Sequence, residues 1–484
     1  MFKNQTNIYR FKKINIINKN KLYIVYNVYI ANIFYFKYLF LFFIFLTVIK
    51  NQKTLNDCHI KINGNYLKNQ LKLNFTFHQK LKNKIQIGIY SIGLKYGGSE
   101  RITALLINYF YKIEIFKICL FTKKKKENNE FYIPEIIKRY KIKSNNTNNL
   151  IQRIKKQKID ILIYQFANYH EINVLNKLKH IKVLFYNHFS LFYWIYSNFN
   201  KFIRLYTEFQ KSKYIISLIH LENDYLFKKW GINSILINNF ITYDYNSTIQ
   251  SDLSTKTILM IGRIHDKFKR FNLGIISMEY IIQEIQECKM KIISNINNTY
   301  ILTNLVNNLN LKNNIKFIEY TSSPEIFFKN TSLHLFPSIS EAFPMVLSEA
   351  KIYGIPSILL GLDYITMKEG GTIILYDDIP ESLSKNAIKI LKNDIIKKIL
   401  SREARKDLRK YNNNNLLIKW AKLILSIYYD DIYYQELRSQ VKLISENESL
   451  IMLNNQINLL KKRDKNFYNI TIKSFLNSIN TTIV

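Results

Sequence analysis

Residues 336–350 read FPSISEAFPMVLSEA and lead into Gly354, Ile355 and Pro356. An apolar run ends in a loop fixed by proline, and a helical pattern follows, so this segment predicts a strand, a loop and a helix. Glu341 in the loop and Glu349 in the helix are eight positions apart and can face one crevice. One carboxylate could then accept hydrogen bonds from a sugar and the other from a ribose; the alternative for Glu349 is a solvent-facing helix position.

Short apolar runs alternate with helical periodicity on both sides of this segment, which is typical of parallel sheets covered by helices on both faces. The predicted strands are 85–90, 116–121, 159–164, 182–186, 214–218 and 234–237, then 257–261, 290–293, 315–318, 334–336, 357–359 and 372–375. The two series part near residues 240–255 and predict two α/β lobes with a cleft between them. A final helix at 416–429 could pack across both lobes.

Glycine is scarce, with 12 residues in 484, yet four glycines fall between positions 88 and 98, where the first predicted strand runs into a helix. Gly97 and Gly98 stand at the helix start, where free N–H groups and the absence of side chains let a phosphate or sugar approach. A plain strand-to-helix turn is the alternative. The spacing is not GxGxxG and no acidic residue closes the second strand, so NAD binding is not expected.

A second loop combines two rare residue types, Gly262 and Arg263, at the end of the strand that opens the second lobe. Lys269 follows six residues later, which places two cations near one strand end, as a pyrophosphate would require. Lys267 is a rival for the same role. A solvated basic turn is the alternative for this loop.

The formal net charge is +36, from 71 basic and 35 acidic residues. Of the basic residues, 59 are lysine and 12 are arginine, and the lysines are spread over the whole chain. Nucleic-acid binders concentrate charge and favour arginine, so nucleic acid is not an expected partner. The three cysteines are odd in number and far apart, which excludes a disulfide framework or a cysteine-based zinc site.

The N-terminal region predicts a membrane attachment. A basic tail without acids (1–27) precedes an almost wholly apolar run (28–49), whose 22 residues would reach about 33 Å as a helix, enough for a single transmembrane anchor. A cleaved signal peptide and an apolar run inflated by the composition are the alternatives. Residues 50–84 are interpreted as a stem, and 433–484 as a polar Asn/Lys-rich tail.

These motifs together resemble the retaining family 4 glycosyltransferases of the GT-B fold, also called glycosyl transferases group 1. The resemblance runs from about residue 85 to 430 and rests on the Gly97-Gly98 loop, Gly262-Arg263 with Lys269, and the Glu341–Glu349 pair. It implies two Rossmann-like lobes, an acceptor lobe (85–245) and a nucleotide-sugar lobe (246–432). The last helix of the second lobe would cross back to the first.

The resemblance also implies roles for individual residues. Arg263 and Lys269 would hold the donor diphosphate, Glu349 the ribose and Glu341 the transferred sugar. Gly97 and Gly98 would line the phosphate and acceptor side. His188, which follows the strand 182–186, corresponds to a first-lobe histidine that members of the family place near the donor sugar.

The chain departs from the usual pattern in three places. Lys269 is one position further from Arg263 than is common, Glu319 stands where glycine is frequent, and Pro344 replaces a frequent glycine. No Asp-x-Asp pattern occurs in the sequence, which favours transfer without a metal, with no cofactor besides the donor.

The expected function is therefore retaining transfer of a hexosyl or N-acetylhexosaminyl group from a nucleoside-diphosphate sugar to a glycan or lipid-linked acceptor at a membrane. A nucleotide-sugar epimerase on the same scaffold is one alternative. A non-catalytic protein that binds a membrane or a polyanion through its positive charge is the other.

Overall fold

The computed structural model describes residues 84–463 apart from 96, 129, 144–146, 166–167, 244–248, 265–266, 297–298, 322–323 and 430–444. The predicted basic tail (1–27), the transmembrane anchor (28–49) and all but the last residue of the stem (50–84) lie outside these residues. Within the described part of the chain, no helix combines the length and the apolar character needed to cross a membrane.

The first lobe is built on a parallel sheet of seven strands in the order β3-β2-β1-β4-β5-β6-β7. The central strands are buried on both faces, as helices cover both sides of such a sheet. The strands are β1 Ile85–Ser91, β2 Phe116–Thr122, β3 Lys138–Lys141, β4 Ile161–Tyr164, β5 Lys182–Tyr186, β6 Tyr214–Ser217 and β7 Ser234–Leu236.

The second lobe is built on a parallel sheet of six strands in the order β10-β9-β8-β11-β12-β13. Its core packs the helices on apolar strand residues such as Ile258, Ile292 and Ile358, which are fully buried. The strands are β8 Thr257–Ile261, β9 Lys289–Ser294, β10 Ile315–Glu319, β11 Leu333–Phe336, β12 Ser357–Leu360 and β13 Thr372–Leu375.

Helices connect the strands and cover both sheets. In the first lobe they are α1 Gly98–Tyr111, α2 Thr147–Lys156, α3 Tyr169–Asn176, α4 Leu191–Ser197 and α5 Phe199–Gln210, followed by a π-helical segment, Glu222–Leu226, and one further turn, α6 Phe227–Lys229. The second lobe has a 3-10 turn at Lys267–Lys269, then α7 Phe271–Glu284, α8 Tyr300–Asn308, α9 Glu325–Phe328, α10 Met345–Ile352, α11 Pro380–Lys392 and α12 Asp394–Leu408. Two more helices follow, α13 Asn413–Tyr429 and α14 Glu446–Arg463.

Both sheets reverse their strand order beside their first strand, since β1 lies between β2 and β4, and β8 lies between β9 and β11. Open α/β sheets bind ligands outside the carboxyl ends of the strands at such a reversal. The Gly97-Gly98 loop follows β1, and the Gly262-Arg263 loop follows β8. The topology therefore puts these two motifs at the ligand-binding end of each sheet.

Helix α13 joins the two lobes. Trp420 packs its ring against Phe110 and Tyr186 of the first lobe, with ring centroids 5.7 and 5.3 Å apart. Lys419 donates a 2.8 Å hydrogen bond to the carbonyl of Leu236, and Lys182 donates to the carbonyl of Ile427 at the same distance. Through this helix the chain thus returns from the second lobe to the first.

Helix α14 lies within the segment interpreted as a polar tail, and it packs on the second lobe. Its buried face includes Leu453, Ile457 and Leu460, whose four- and three-residue spacings share one side of a helix. Gln456 donates to a carboxylate oxygen of Asp363 at 3.0 Å, and Arg463 donates to Asp378 at 2.7 Å. These contacts fix the helix at the carboxyl ends of β12 and β13.

Candidate functional site

A cavity of about 290 Å³ lies between the two lobes at the carboxyl ends of their strands. It is lined by the loops that follow β1, β5, β8 and β11. All seven residues selected from the sequence line it: Gly97, Gly98, His188, Arg263, Lys269, Glu341 and Glu349. Lys267, the rival of Lys269, does not. Its ammonium lies over the rings of Tyr196 and Phe268, 5.6 and 5.7 Å from their centroids.

On the second-lobe wall, Lys269 and Glu341 form an ion pair, with 2.5 Å between Nζ and Oε1. Gly262 makes room for the lysine, since a β-carbon at this position would lie 3.3 Å from the Lys269 side chain. Arg263 is exposed at the cavity wall. A diphosphate entering here would compete with Glu341 for the ammonium, and its charge would be offset by both cations.

Tyr364 and Ser190 hold the loop that carries Glu341. The Glu341 N–H donates to the Tyr364 hydroxyl at 3.2 Å, and burial raises the pKa of Tyr364 to about 12, so this hydroxyl stays protonated. Next to it, the hydroxyls of Ser190 and Ser340 are 2.5 Å apart, which links the first lobe to the second. Neither Tyr364 nor Ser190 was selected from the sequence, because only their three-dimensional neighbours give them a role.

Glu349 is 1% exposed at the base of the cavity and forms an ion pair with Arg101 of helix α1, which is 9% exposed. Thr242 also donates to Glu349, with 3.0 Å between the hydroxyl and Oε1. Burial raises the pKa of the Glu349 carboxyl above its ordinary value, and the charge of Arg101 opposes this rise. The residue predicted to bind ribose is therefore already held by the first lobe.

Arg101, three residues after Gly98, received no role from the sequence. It is one of only 12 arginines in the chain, and this scarcity beside the glycine pair is the signal that could have found it. Its guanidinium lies 5.4 Å from the centre of the Phe131 ring and donates to the Tyr243 hydroxyl at 3.4 Å. Arg101 thus connects the glycine loop to the predicted ribose end of the site.

His188 forms part of the first-lobe wall, directly after β5. Burial lowers the pKa of its imidazole to about 3, so the ring is neutral at physiological pH. The Nε2 atom is 2.8 Å from the side-chain oxygen of Gln165, a buried residue that follows β4. A neutral imidazole can donate one hydrogen bond and accept another, but it does not serve as a cationic acid here.

Gly97 leaves space in the glycine loop for the side chain of Glu100. A β-carbon at this position would lie 2.0 Å from Oε2 of Glu100, so a larger residue would displace that carboxylate from the loop. The Ser99 hydroxyl donates to the same oxygen at 2.8 Å. At Gly98, a β-carbon would come no closer than 3.7 Å to Met345 of the second lobe. Gly98, Ser99 and Glu100, the first residues of α1, line the cavity, so an anion bound there would lie at the N-terminus of this helix.

No cluster of three or more histidine, cysteine or acidic side chains able to hold a metal occurs among the described residues. The charged groups at the cavity are instead two second-lobe cations, Arg263 and Lys269, the pairs that involve Glu341 and Glu349, and Glu100.

Residues 246–414 match the family model "Glycosyl transferases group 1". A curated relative, an uncharacterized glycosyltransferase of Haemophilus influenzae, is 22% identical over 177 residues, which are 36% of this chain. The matched region spans only half the length of that relative.

Solved structures with the same fold include sucrose-phosphate synthase from Thermosynechococcus elongatus, with a TM-score of 0.62 and 13% identity over 72% of this chain and 100% of that one. HepE from Anabaena in complex with UDP-glucose has a TM-score of 0.58 and 10% identity over 71% and 100% of the two chains. A TarM variant of S. aureus in complex with UDP has a TM-score of 0.57 and 13% identity over 72% and 99%. The chain therefore has the GT-B fold, and residues 246–414 form a domain of the glycosyl transferases group 1 family.

Proposed function

We propose that the protein is a retaining, metal-independent glycosyltransferase. It transfers a hexosyl or N-acetylhexosaminyl group from a nucleoside-diphosphate sugar to a glycan or lipid-linked acceptor. The observation that carries the proposal is one cavity, at the strand-order reversals of both sheets, that brings together Arg263, Lys269 and Glu341 opposite the glycine loop. The group 1 domain supports the enzyme class, and HepE, which has the same fold, binds UDP-glucose.

In this proposal the donor spans the second-lobe wall. Arg263 and Lys269 bind the diphosphate, and Lys269 is preferred to Lys267 because only Lys269 lines the cavity. Glu349, at the base of the cavity, binds the ribose hydroxyls. Glu341 binds the transferred sugar once the diphosphate has taken over the ammonium that it now contacts.

The chemistry follows from where charge develops. When the sugar departs, negative charge grows on the leaving diphosphate and positive charge on the ring. The negative charge is neutralised by Arg263, Lys269 and the N–H groups of α1. These groups act more strongly in a cavity from which water is excluded. The acceptor hydroxyl attacks from the Gly97-Gly98 side, on the face that the diphosphate leaves, and its proton passes to the departing diphosphate. Attack on this face retains the configuration.

We further propose that the apolar run 28–49 anchors the enzyme in a membrane. A lipid-linked acceptor, or a glycan assembled at the membrane surface, would then be within reach of the first lobe. The +36 charge of the chain would add attraction to anionic head groups.

The test is a donor screen with the purified full chain in detergent. UDP- and GDP-sugars are measured for binding by calorimetry and for hydrolysis or transfer by release of the nucleotide. We expect one donor class to bind without added metal, and Glu341→Gln to abolish turnover. A protein that neither binds nor turns over any of these donors would refute the proposal.

A matched pair of variants separates an enzyme from a charge-driven binder. Lys269→Gln and Lys267→Gln each remove one charge, two positions apart, but only Lys269 lines the cavity. An enzyme loses donor affinity about tenfold or more with Lys269→Gln, the cost of one charge-assisted hydrogen bond, and keeps it with Lys267→Gln. A polyanion binder responds equally to both variants and weakens steeply with salt. An epimerase would interconvert two nucleotide sugars without an acceptor.

A further inference from the structure

A chain of hydrogen bonds leads from His188 into the first lobe. Its Nε2 atom is 2.8 Å from Oε1 of Gln165, and Nε2 of Gln165 is 2.9 Å from the Thr103 hydroxyl. Thr103, in helix α1, in turn donates to the carbonyl of Ser99 at 2.8 Å. Gln165 is 4% exposed and Thr103 is fully buried, so water does not compete for these bonds.

The hydrogen bonds of Thr103 determine which group donates and which accepts at each step from Thr103 to His188. The hydroxyl of Thr103 has one proton, and the Ser99 carbonyl, 2.8 Å away, has none, so this contact takes up the Thr103 proton and leaves none for an amide oxygen of Gln165. The Ser91 hydroxyl, 3.3 Å away, gives its own proton to the Gly93 carbonyl. Thr103 must therefore accept from the amide nitrogen of Gln165.

This orientation of the Gln165 amide leaves its oxygen facing the imidazole. An amide oxygen only accepts, so His188 must carry its proton on Nε2. The other ring nitrogen, Nδ1, then has a lone pair, and it makes no hydrogen bond to any residue that the structure describes. Because His188 lines the cavity, this lone pair is available to a ligand.

We infer that Gln165 and Thr103 are positioning residues that hold His188 as the Nε2–H tautomer, so that its Nδ1 accepts a hydrogen bond from a substrate hydroxyl. The inference rests on the proposed function and specifies the chemistry that it requires at this wall of the site. A sugar or acceptor hydroxyl can donate a hydrogen bond to Nδ1. A phosphate or carboxylate oxygen has no proton to donate, so its lone pairs would repel the lone pair of Nδ1.

The orienting bonds also connect His188 to the glycine loop, since the Ser99 carbonyl belongs to the first turn of α1. The ring of Tyr186 lies against the imidazole, with the centroids 4.2 Å apart. The titratable or charged side chains that line the same cavity are Glu100, Arg101, Tyr193, Arg263, Lys269, Tyr320, Glu341 and Glu349.

The first test reads the tautomer directly and needs no substrate. The full chain is labelled with ¹⁵N-histidine, and the imidazole nitrogens are observed by long-range proton–nitrogen correlation, with His188→Gln identifying the signal among eight histidines. We expect an Nε2–H ring that does not titrate between about pH 5 and 8. An Nδ1–H tautomer or a doubly protonated ring at neutral pH would overturn the inference.

The second test perturbs the orienting bond. In Gln165→Glu a carboxylate faces Nε2, which favours the imidazolium and converts Nδ1 from an acceptor to a donor. Gln152→Glu, on the exposed face of α2, is the matched control for an added negative charge in the first lobe. We expect the His188 signal to show two protons at neutral pH in Gln165→Glu and to be unchanged in Gln152→Glu.

Kinetics with a donor found in the screen complete the test. We expect kcat of Gln165→Glu to fall about tenfold, the equivalent of one lost hydrogen bond, and to recover at alkaline pH as the ring loses its proton. KM for the donor should change little, since the diphosphate and ribose contacts remain. Unchanged kcat and pH profile would refute the role of the tautomer in turnover. If no donor is turned over, the proposed function fails, and the nitrogen spectra still decide on the tautomer.

Discussion

Replacing Arg101 with methionine tests the ion pair that joins the two lobes. The side chains of Arg101 and Glu349 are 11% and 2% exposed, and removing the arginine leaves Glu349 with only the Thr242 hydroxyl among the partners described above. Removing one member of a buried ion pair typically costs about 3 to 5 kcal/mol, because the remaining charge is buried without compensation. We expect Arg101→Met to lower the free energy of unfolding by about this amount at neutral pH.

The cost should depend on pH in a defined direction. Burial already raises the pKa of Glu349 in the folded protein, and losing the Arg101 charge raises it further. When the pKa of a carboxyl is higher in the folded protein than in the unfolded chain, the group stabilises the fold at pH values below the pKa of the unfolded chain. This stabilisation is lost as the pH rises through the pKa of the folded protein. The difference between wild type and Arg101→Met should therefore be small near the ordinary pKa of a glutamate, about 4.3, and grow as the pH rises above it.

The assay is urea unfolding of the full chain, followed by the fluorescence of its three tryptophans, at several pH values. Arg204→Met is the matched control, because Arg204 is an exposed first-lobe arginine whose Nη1 is 3.0 Å from the Tyr169 hydroxyl. The double variant Arg101→Met/Glu349→Gln should recover much of the loss, since no buried charge remains. If Arg101→Met costs no more than Arg204→Met, the pair is open to water and the reasoning is wrong.

Two further outcomes are expected. Burial raises the pKa of Glu222, in the π-helical segment, to about 8, so its contribution to stability is lost as the pH rises from about 4.5 to 8. Glu222→Gln should flatten this decline, on the order of 1.4 kcal/mol per pH unit, in thermal melts; parallel pH curves would contradict it. Gly361 has φ +66° and a β-carbon there would lie 2.1 Å from Leu459 of helix α14, whereas Gly231 has φ +64° and no atom within 4 Å. Gly361→Ala should lower Tm clearly more than Gly231→Ala, which bears only a backbone cost of about 1 kcal/mol; equal shifts would mean that α14 does not pack there in solution.

The sheets could be predicted where strands are buried on both faces. Such strands read as short apolar runs, and every predicted strand is present within one or two residues of its expected ends. One further strand, β3 (Lys138–Lys141), was not predicted from the sequence. It is an edge strand with the sequence KRYK, and an edge strand needs no apolar pattern because solvent covers part of it.

The candidate site could be located for a related reason. In a chain with 12 glycines and six prolines, the glycine and proline motifs gather in loops after β1, β8 and β11, and parallel strands bring their carboxyl ends to one edge. What these motifs could not indicate was the set of partners. The sequence left Lys267 as a rival of Lys269 for the same role. Only the 3-10 turn directs Lys267 to aromatic rings and Lys269 to the cavity.

The sequence by itself thus determined the two-lobed architecture and the edge at which the site lies, because periodicity and turn chemistry are local properties of the chain. The tertiary structure alone decided that Arg101 meets Glu349 across 248 positions, that Gln165 orients His188, and that Glu222 is buried with a raised pKa. Pairings of this kind depend on how two lobes and their loops pack against each other. Burial then sets the protonation of each group, and no local pattern in the sequence encodes burial between distant segments.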